Sequence, residues 1–277
     1  GVGPGCRPLG KVKNAKPLID HDGKPRKGFE KPSVQAGQGI MFGEVTSNSA
    51  LAQVRLTTSD QLKNGDVPGV EGSVRFVLQA IDGSATKIIA TQTVDAKSER
   101  DYIARASFLK LTPGMRYQVK TTLLGKEIEA RGPSGSFRTL PGSDLAVPVR
   151  FAVVTGMNYG KFHGDDRIDL KIHLAHNNNA VPKTYPGPDK HLGYPALAAI
   201  VAKKPDFFVG TGDNVYYDTP KKPRAETVPQ LRQKWHEQFV QPRYRDLFAL
   251  VPTYWMIDDH DFRIDDSDNT GDYEPSP

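Results

Sequence analysis

Cysteine is nearly missing from this chain: Cys6 is the only one among 277 residues. A disulfide within the sequence is therefore impossible, and a thiolate-rich metal site is excluded. Long apolar runs are also missing. No stretch approaches the ~18–20 residues that a membrane-spanning helix requires, so a helical integral membrane protein is not expected. No N-x-S/T sequon occurs, and no charged-then-apolar leader stands at Gly1, so no signal peptide is read from the sequence itself. Charge of one sign is weak overall: 37 Lys and Arg face 32 Asp and Glu, a net +5. The surplus gathers in the first 32 residues, at Arg7, Lys11, Lys13, Lys16, Lys24, Arg26, Lys27 and Lys31. No nucleic-acid-reading motif follows that arm, so it reads as a solvated terminus.

Turn-forming residues are plentiful, with 26 Gly and 22 Pro. That excess suggests strands, tight turns and long loops. The content of 37% hydrophobic and 25% charged residues fits a folded globular chain, and its length suggests two domains.

Residues 1–36 lack periodicity and read as an extended basic arm. Residues 37–140 read as all-β. Candidate strands are Gly39–Thr46, Leu51–Thr57, Ser73–Ala80, Thr86–Thr93, Tyr102–Lys110, Met115–Leu123 and Gly135–Thr139. Turn clusters such as Asp82-Gly83-Ser84 and Pro113-Gly114 separate them. Seven short strands at this spacing predict a β-sandwich. Residues 141–147 read as a linker, and the pattern then changes. Val149–Val154, Asp206–Val209 and Pro252–Ile257 are short apolar runs, read as strands buried on both faces. Pro195–Lys203, Val228–Val240 and Arg243–Leu250 read as helices between them. Their alternation predicts parallel crossovers and an α/β unit over 148–277. His236 reads as a surface residue, and Trp235, Phe239 and Phe248 as helix core.

In such a sheet, sites form beyond the carboxyl ends of the strands. Gly210–Asp218 follows the second strand, and Asp258–Asp268 follows the third; the latter carries six Asp and one His in eleven residues. Carboxylates packed together repel and lose solvation. A cation relieves both penalties, and oxygen donors with one His suit Mg, Ca, Mn or iron. His163, His173, His176 and His191 lie in the long stretch 158–194, where the i, i+3 pair His173/His176 has metal-ligand spacing but, without a partner pair, reads as solvated.

These motifs carry a family resemblance. GDNVYYD and PTYWMIDDHDF resemble the GD-x-x-Y-x-D and DDH-[DE] motifs of the PhoD-like (alkaline phosphatase D) metallophosphatases, within the calcineurin-like phosphoesterases. WHEQFVQPRYRDLFALVP resembles that family's preceding helix, and GIMFGEVTSNSALAQVRL the opening of its N-terminal sandwich. Leu111–Tyr117 is similar to the L-x-P-x-x-x-Y corner of fibronectin type III domains. The resemblance implies a fibronectin III-like all-β sandwich over 37–140, followed over 148–277 by the N-terminal half of a four-layer α/β metallophosphatase domain. It implies a metal-dependent phosphoesterase, extracellular or periplasmic, with a dinuclear metal centre of iron and/or calcium. Asp213 would bridge the metals, and Tyr216 would be a phenolate ligand. His260 would contact the phosphoryl oxygen or protonate the leaving group. Asp259 would be a ligand or the partner of one. Asp265 stands where the family has a metal-binding Asn.

Two departures bear on that expectation. The family's iron-binding Cys has no counterpart: Val153–Asn158 occupies the turn, and Gly156 offers no donor. Asn158 reads as a ligand or a turn residue, so Mn or Zn stays open. After His260 no further histidine follows, so a missing C-terminal segment or a second chain is expected to complete the sheet and the site. A hydrolase of sulfate esters or phosphotriesters, and a non-catalytic interaction protein with a decayed domain, are the alternatives.

Overall fold

The computed structural model describes residues 34–165, 168, 171, 183–220 and 224–267. Most of the expected basic arm, with Cys6, and the pair His173/His176 lie outside them. Seven antiparallel strands form first: β1 Ile40–Gly43, β2 Ala50–Arg55, β3 Gly72–Asp82, β4 Ala85–Ala96, β5 Ile103–Phe108, β6 Arg116–Leu124 and β7 Glu129–Arg138. They build two sheets, ordered β1-β2-β5 and β4-β3-β6-β7. The alternation along β2, β5 and β6 sends every second side chain inward. Ile40, Phe42, Leu56, Phe76 and Leu78 are fully buried between the sheets, each worth roughly 1.5–3 kcal/mol of apolar burial. At the sheet corner the backbone N–H of Thr112 donates to the Tyr117 hydroxyl at 2.8 Å.

β7 starts six residues before the expected Gly135. The sequence EARGPSG conceals it, because Gly and Pro are poor strand formers. The strand tolerates Pro133 because β7 is the sheet edge and its register slips opposite Lys120–Thr122.

Then come β8 Phe151–Val154, α1 Tyr159–His163, α2 Pro195–Ala202, β9 Phe207–Thr211, α3 Val228–Phe239, α4 Pro242–Leu250 and β10 Thr253–Met256. A proline stands in the first turn of α2, α3 and α4, where its missing N–H is not needed. A capping box between Thr227 and Gln230 sets the start of α3. The three strands are parallel, ordered β10-β9-β8.

That order explains a correction. The strands add in one direction, so crossovers of the favoured right hand place all their helices on one face. Ala152, Val154, Phe208 and Trp255 pack there against Leu197, Phe239, Tyr244, Leu247 and Phe248. The other face is not buried: Phe151, Val153 and Met256 are each more than half exposed. On it Phe151 stacks on Phe207 at 5.2 Å. The expectation of strands buried on both faces therefore fails for β8 and β10. Among the described residues, no helix is long and apolar enough to cross a membrane.

β10 also abuts the sandwich. Tyr254 donates its hydroxyl to the Val45 carbonyl at 2.8 Å, and α4 packs on β1 and β7.

Candidate metal centre

The loops leaving β9 and β10 are pressed together at the carboxyl end of the sheet. Gly212 allows it. Its φ is +104°, and a Cβ there would lie 2.3 Å from the Cβ of Asp258, closer than atoms can approach. Asp213 follows in the left-handed region at φ 52°. Further bonds fix the pair of loops. Asn214 donates from its backbone and its side chain to Asp261 Oδ2, at 3.1 and 2.7 Å. Asp258 N–H donates to Asp261 Oδ1 at 2.6 Å, and Tyr217 N–H to the His260 carbonyl at 3.1 Å. Asp261 is thus a buried clip between the loops, a role that the run of aspartates hid.

The clip brings Asp213, Asp259 and His260 together, with one ligand atom from each lying within 4.8 Å of the others. A second group, Asp259, Asp265 and Asp266, meets the same limit on the outer side. Tyr216 donates its hydroxyl to Asp213 Oδ2 at 3.0 Å, and its ring lies 4.3 Å from that of His260. The other oxygen, Asp213 Oδ1, is buried and has no hydrogen-bond partner among the described residues. A buried oxygen of this kind costs stability unless something occupies its lone pairs. The donor set around it, two carboxylates, an imidazole and a phenol, fits a hard or borderline cation.

The ionisation directions agree with that assignment. Burial raises the Asp213 pKa, against the lowering effect of the Tyr216 hydrogen bond. Burial, then the neighbouring Asp213 charge, raises the Tyr216 phenol. For Asp259, burial is outweighed by the N–H groups of Asp266 and His260, and the carboxyl is lowered. A positive charge at this point would favour the ionised form of all three.

His260 is held by an unforeseen partner. Its Nδ1 lies 2.9 Å from Oδ1 of Asp218, which is 4% exposed. Burial disfavours the imidazolium, but the hydrogen bond to Asp218 prevails and raises the ring's pKa. Nε2 points outward, 3.4 Å from the exposed Asp265. The last Asp of GDNVYYD was the available signal for Asp218, since a carboxylate hydrogen-bonded to one ring nitrogen of a histidine fixes its tautomer.

Asn158 sits at the start of α1. Its Oδ1 accepts from Lys161 N at 2.9 Å as the helix cap, and its Nδ2 donates to Thr219 Oγ1 at 3.2 Å. Both polar ends of the side chain thus have protein partners, as a turn residue requires. A Cβ built on Gly156, at φ +70°, would lie 3.8 Å from the Tyr216 hydroxyl. Position 156 therefore faces the phenol, yet supplies no ligand. His163 is apart from the cluster, with Nε2 2.9 Å from Gln241 Oε1. His191 lies in the short 3-10 turn Lys190–Leu192. His236 is not at the surface: it is 5% exposed and held between Asp66 and Asp101 of the sandwich.

No protein-family model and no curated protein matches the chain. Solved structures do. PhoD matches 82% of this chain at 19% identity and a TM-score of 0.60, and the chain spans 40% of the PhoD chain. A purple acid phosphatase from yellow lupin seeds matches 79% of this chain and 34% of its own at 11% identity, with a TM-score of 0.45. The third fibronectin III domain of a human protein matches 49% of this chain and all of its own at 18% identity, with a TM-score of 0.29. The chain has the fold of PhoD over most of its length: an antiparallel β-sandwich followed by a parallel α/β unit.

Proposed function

We propose that the chain is the metal-binding portion of a metal-dependent phosphoesterase that hydrolyses phosphate mono- or diesters. The observation that carries this reading is the convergence of Asp213, Asp259 and His260, with the unpartnered Asp213 Oδ1 among them, at the carboxyl end of the sheet. Asp213, Asp259 and Tyr216 would hold metal, and Asp265 stands close enough to join from the outer group. Bound there, a metal pair supplies an acidified water and offsets the negative charge of the phosphoryl group. Asp218 keeps His260 Nδ1 engaged, which leaves Nε2 as the nitrogen that delivers a proton to the leaving oxygen. Asp259, lowered by two backbone N–H groups, stays ionised beside it. The missing donor at Gly156 favours Ca, Mn or Zn over iron at the Tyr216 side.

A further segment or a second chain completes the catalytic domain in this proposal. The uncovered apolar face of Phe151, Val153 and Met256 supports it, since a face of that kind is normally packed. An extracellular or periplasmic location is proposed with the same reading.

Metal analysis by mass spectrometry, followed by hydrolysis of aryl phosphate mono-, di- and sulfate esters, tests the function. Stoichiometric metal with phosphate ester turnover is expected. Preference for the sulfate ester would transfer the site to a different hydrolase, and the absence of stoichiometric metal from the completed catalytic domain would leave an interaction module.

A further inference from the structure

Helix α3 is gripped from two sides. Toward the site, Gln238 is fully buried and its Nε2 donates to the carbonyls of Met157 and Asn214, both at 2.8 Å. Trp235 Nε1 donates to the Tyr217 hydroxyl at 2.8 Å, and Lys234 Nζ to the Thr219 carbonyl at 2.7 Å. These acceptors flank Asp213, Tyr216 and Asp218. Toward the sandwich, Gln233 Nε2 donates to the Gly65 carbonyl at 2.8 Å. One turn further along stands His236. Its Nδ1 lies 2.7 Å from Asp66 Oδ1, and its Nε2 lies 2.7 Å from Asp101 Oδ2.

An ionised carboxylate only accepts hydrogen bonds, and a neutral imidazole donates from one nitrogen alone. Two carboxylates at 2.7 Å on opposite ring nitrogens therefore require both nitrogens to carry protons. The carboxylates facing the ring support this state. From the sandwich, Asp66, Asp101 and Arg55 face it, with Arg55 Nη2 on the second oxygen of Asp101 at 3.1 Å. On α3 itself the nearest charges are Arg232 and the pair Lys234–Glu237 at 3.4 Å. From α4, Arg245 turns to Asp60 at 3.9 Å. Arg55 engages Oδ1 of Asp101, and Arg100, Arg105 and Arg232 line the same hollow as that residue, but it is Oδ2 of Asp101 and Oδ1 of Asp66 that face the two ring nitrogens of His236.

We infer that His236 is a proton-dependent clasp: as an imidazolium it pins α3 to the β-sandwich, and on losing a proton at alkaline pH it releases one of its two carboxylates. A neutral ring would present a lone pair to one aspartate at hydrogen-bond distance, a repulsive contact that the junction relieves by opening. Burial works against the charged ring, but the bonds to Asp101 and Asp66 prevail and its pKa is raised. For a group raised in this way, the stabilisation is complete below the unfolded pKa. It is lost as pH rises through the folded value. Because α3 also holds the carbonyls beside Asp213, the sandwich is a mechanical support for the site loops.

The ring resonances of His236, followed by NMR on the 277-residue chain, test the clasp directly. A titration midpoint above the ordinary ~6.5 is expected, with both nitrogens protonated below it. A midpoint at or under ~6.5 overturns the inference. Thermal unfolding gives an independent reading. Wild type should exceed His236→Gln by about 2–4 °C near pH ~6, and the gap should close as pH rises through the ring's midpoint. A gap that is absent, or equal at all pH values, also overturns it.

Discussion

Oδ1 of Asp218 lies 2.9 Å from Nδ1 of His260, and the carboxylate is almost wholly buried. The bond fixes the imidazole plane and directs Nε2 to the open side of the site. Asp218→Asn keeps the volume but replaces the carboxylate with an amide. If His260 transfers a proton during hydrolysis, this change should lower kcat by about 10–100-fold, with little change in KM. His260→Ala should cost about 10²–10⁴-fold. Steady-state kinetics on an aryl phosphate ester would check both. The double variant should be no slower than His260→Ala, because Asp218 acts through the ring. An additive loss would mean that Asp218 touches the substrate itself.

The unpartnered Asp213 Oδ1 makes a separate prediction about metal. Asp213→Ala should remove stoichiometric binding, as judged by mass spectrometry after dialysis. Tyr216 contributes differently. Its phenol is kept protonated by burial and by Asp213, so a metal that uses it as a ligand must displace that proton. Titrating the protein with metal in weak buffer should release about one proton more from wild type than from Tyr216→Phe. Equal release would place the phenol outside the coordination sphere.

How much of this was legible in the sequence depends on how local each signal is. Strand pattern is a property of neighbours, and the candidate strands Ser73–Ala80 and Met115–Leu123 lie closely on β3 and β6. Strand β7 was half missed because Gly132 and Pro133 contradict local preference, and only the edge position accommodates them. The coating of β8 and β10 was misread because an apolar run is compatible with one covered face or two. Strand order, which no run of residues encodes, decides between them. At the site, Asp213, Asp259 and His260 stood out by type and spacing. Asp261 could not be distinguished from its neighbours, since all six aspartates of the loop look alike until Asn214 is seen against one of them. His236 was read as exposed for the same reason: its partners lie 135 and 170 residues away.

The sandwich corner offers a test of stability that is independent of chemistry. Tyr117 is 2% exposed, and its hydroxyl receives the Thr112 N–H. Tyr117→Phe keeps the ring contact with Phe137, centred at 5.5 Å, and removes only the acceptor. The expected loss is about 1 kcal/mol, measured as a lower denaturation midpoint with an unchanged m-value. A larger loss would mean that the ring itself had moved.

The junction makes its own prediction on the acid side, where the sign is opposite to that of the imidazole. Burial would raise the Asp101 carboxyl, but bonds from His236 and Arg55 overcome it, and the pKa falls below the ordinary value; Asp66 behaves alike through His236. A lowered carboxylate contributes stability that is complete above its unfolded pKa and is lost as pH falls through the folded one. Wild type should therefore weaken below about pH 4. Asp101→Asn cannot make the charged contacts with His236 Nε2 and Arg55. It should be less stable at neutral pH by about 1–3 kcal/mol, and its acid limb should be shallower because one of the titrating groups is gone. Urea unfolding of both proteins across this range would measure the difference. If the two acid limbs run parallel, Asp101 does not titrate with folding, and the stability of the junction must come from its packing.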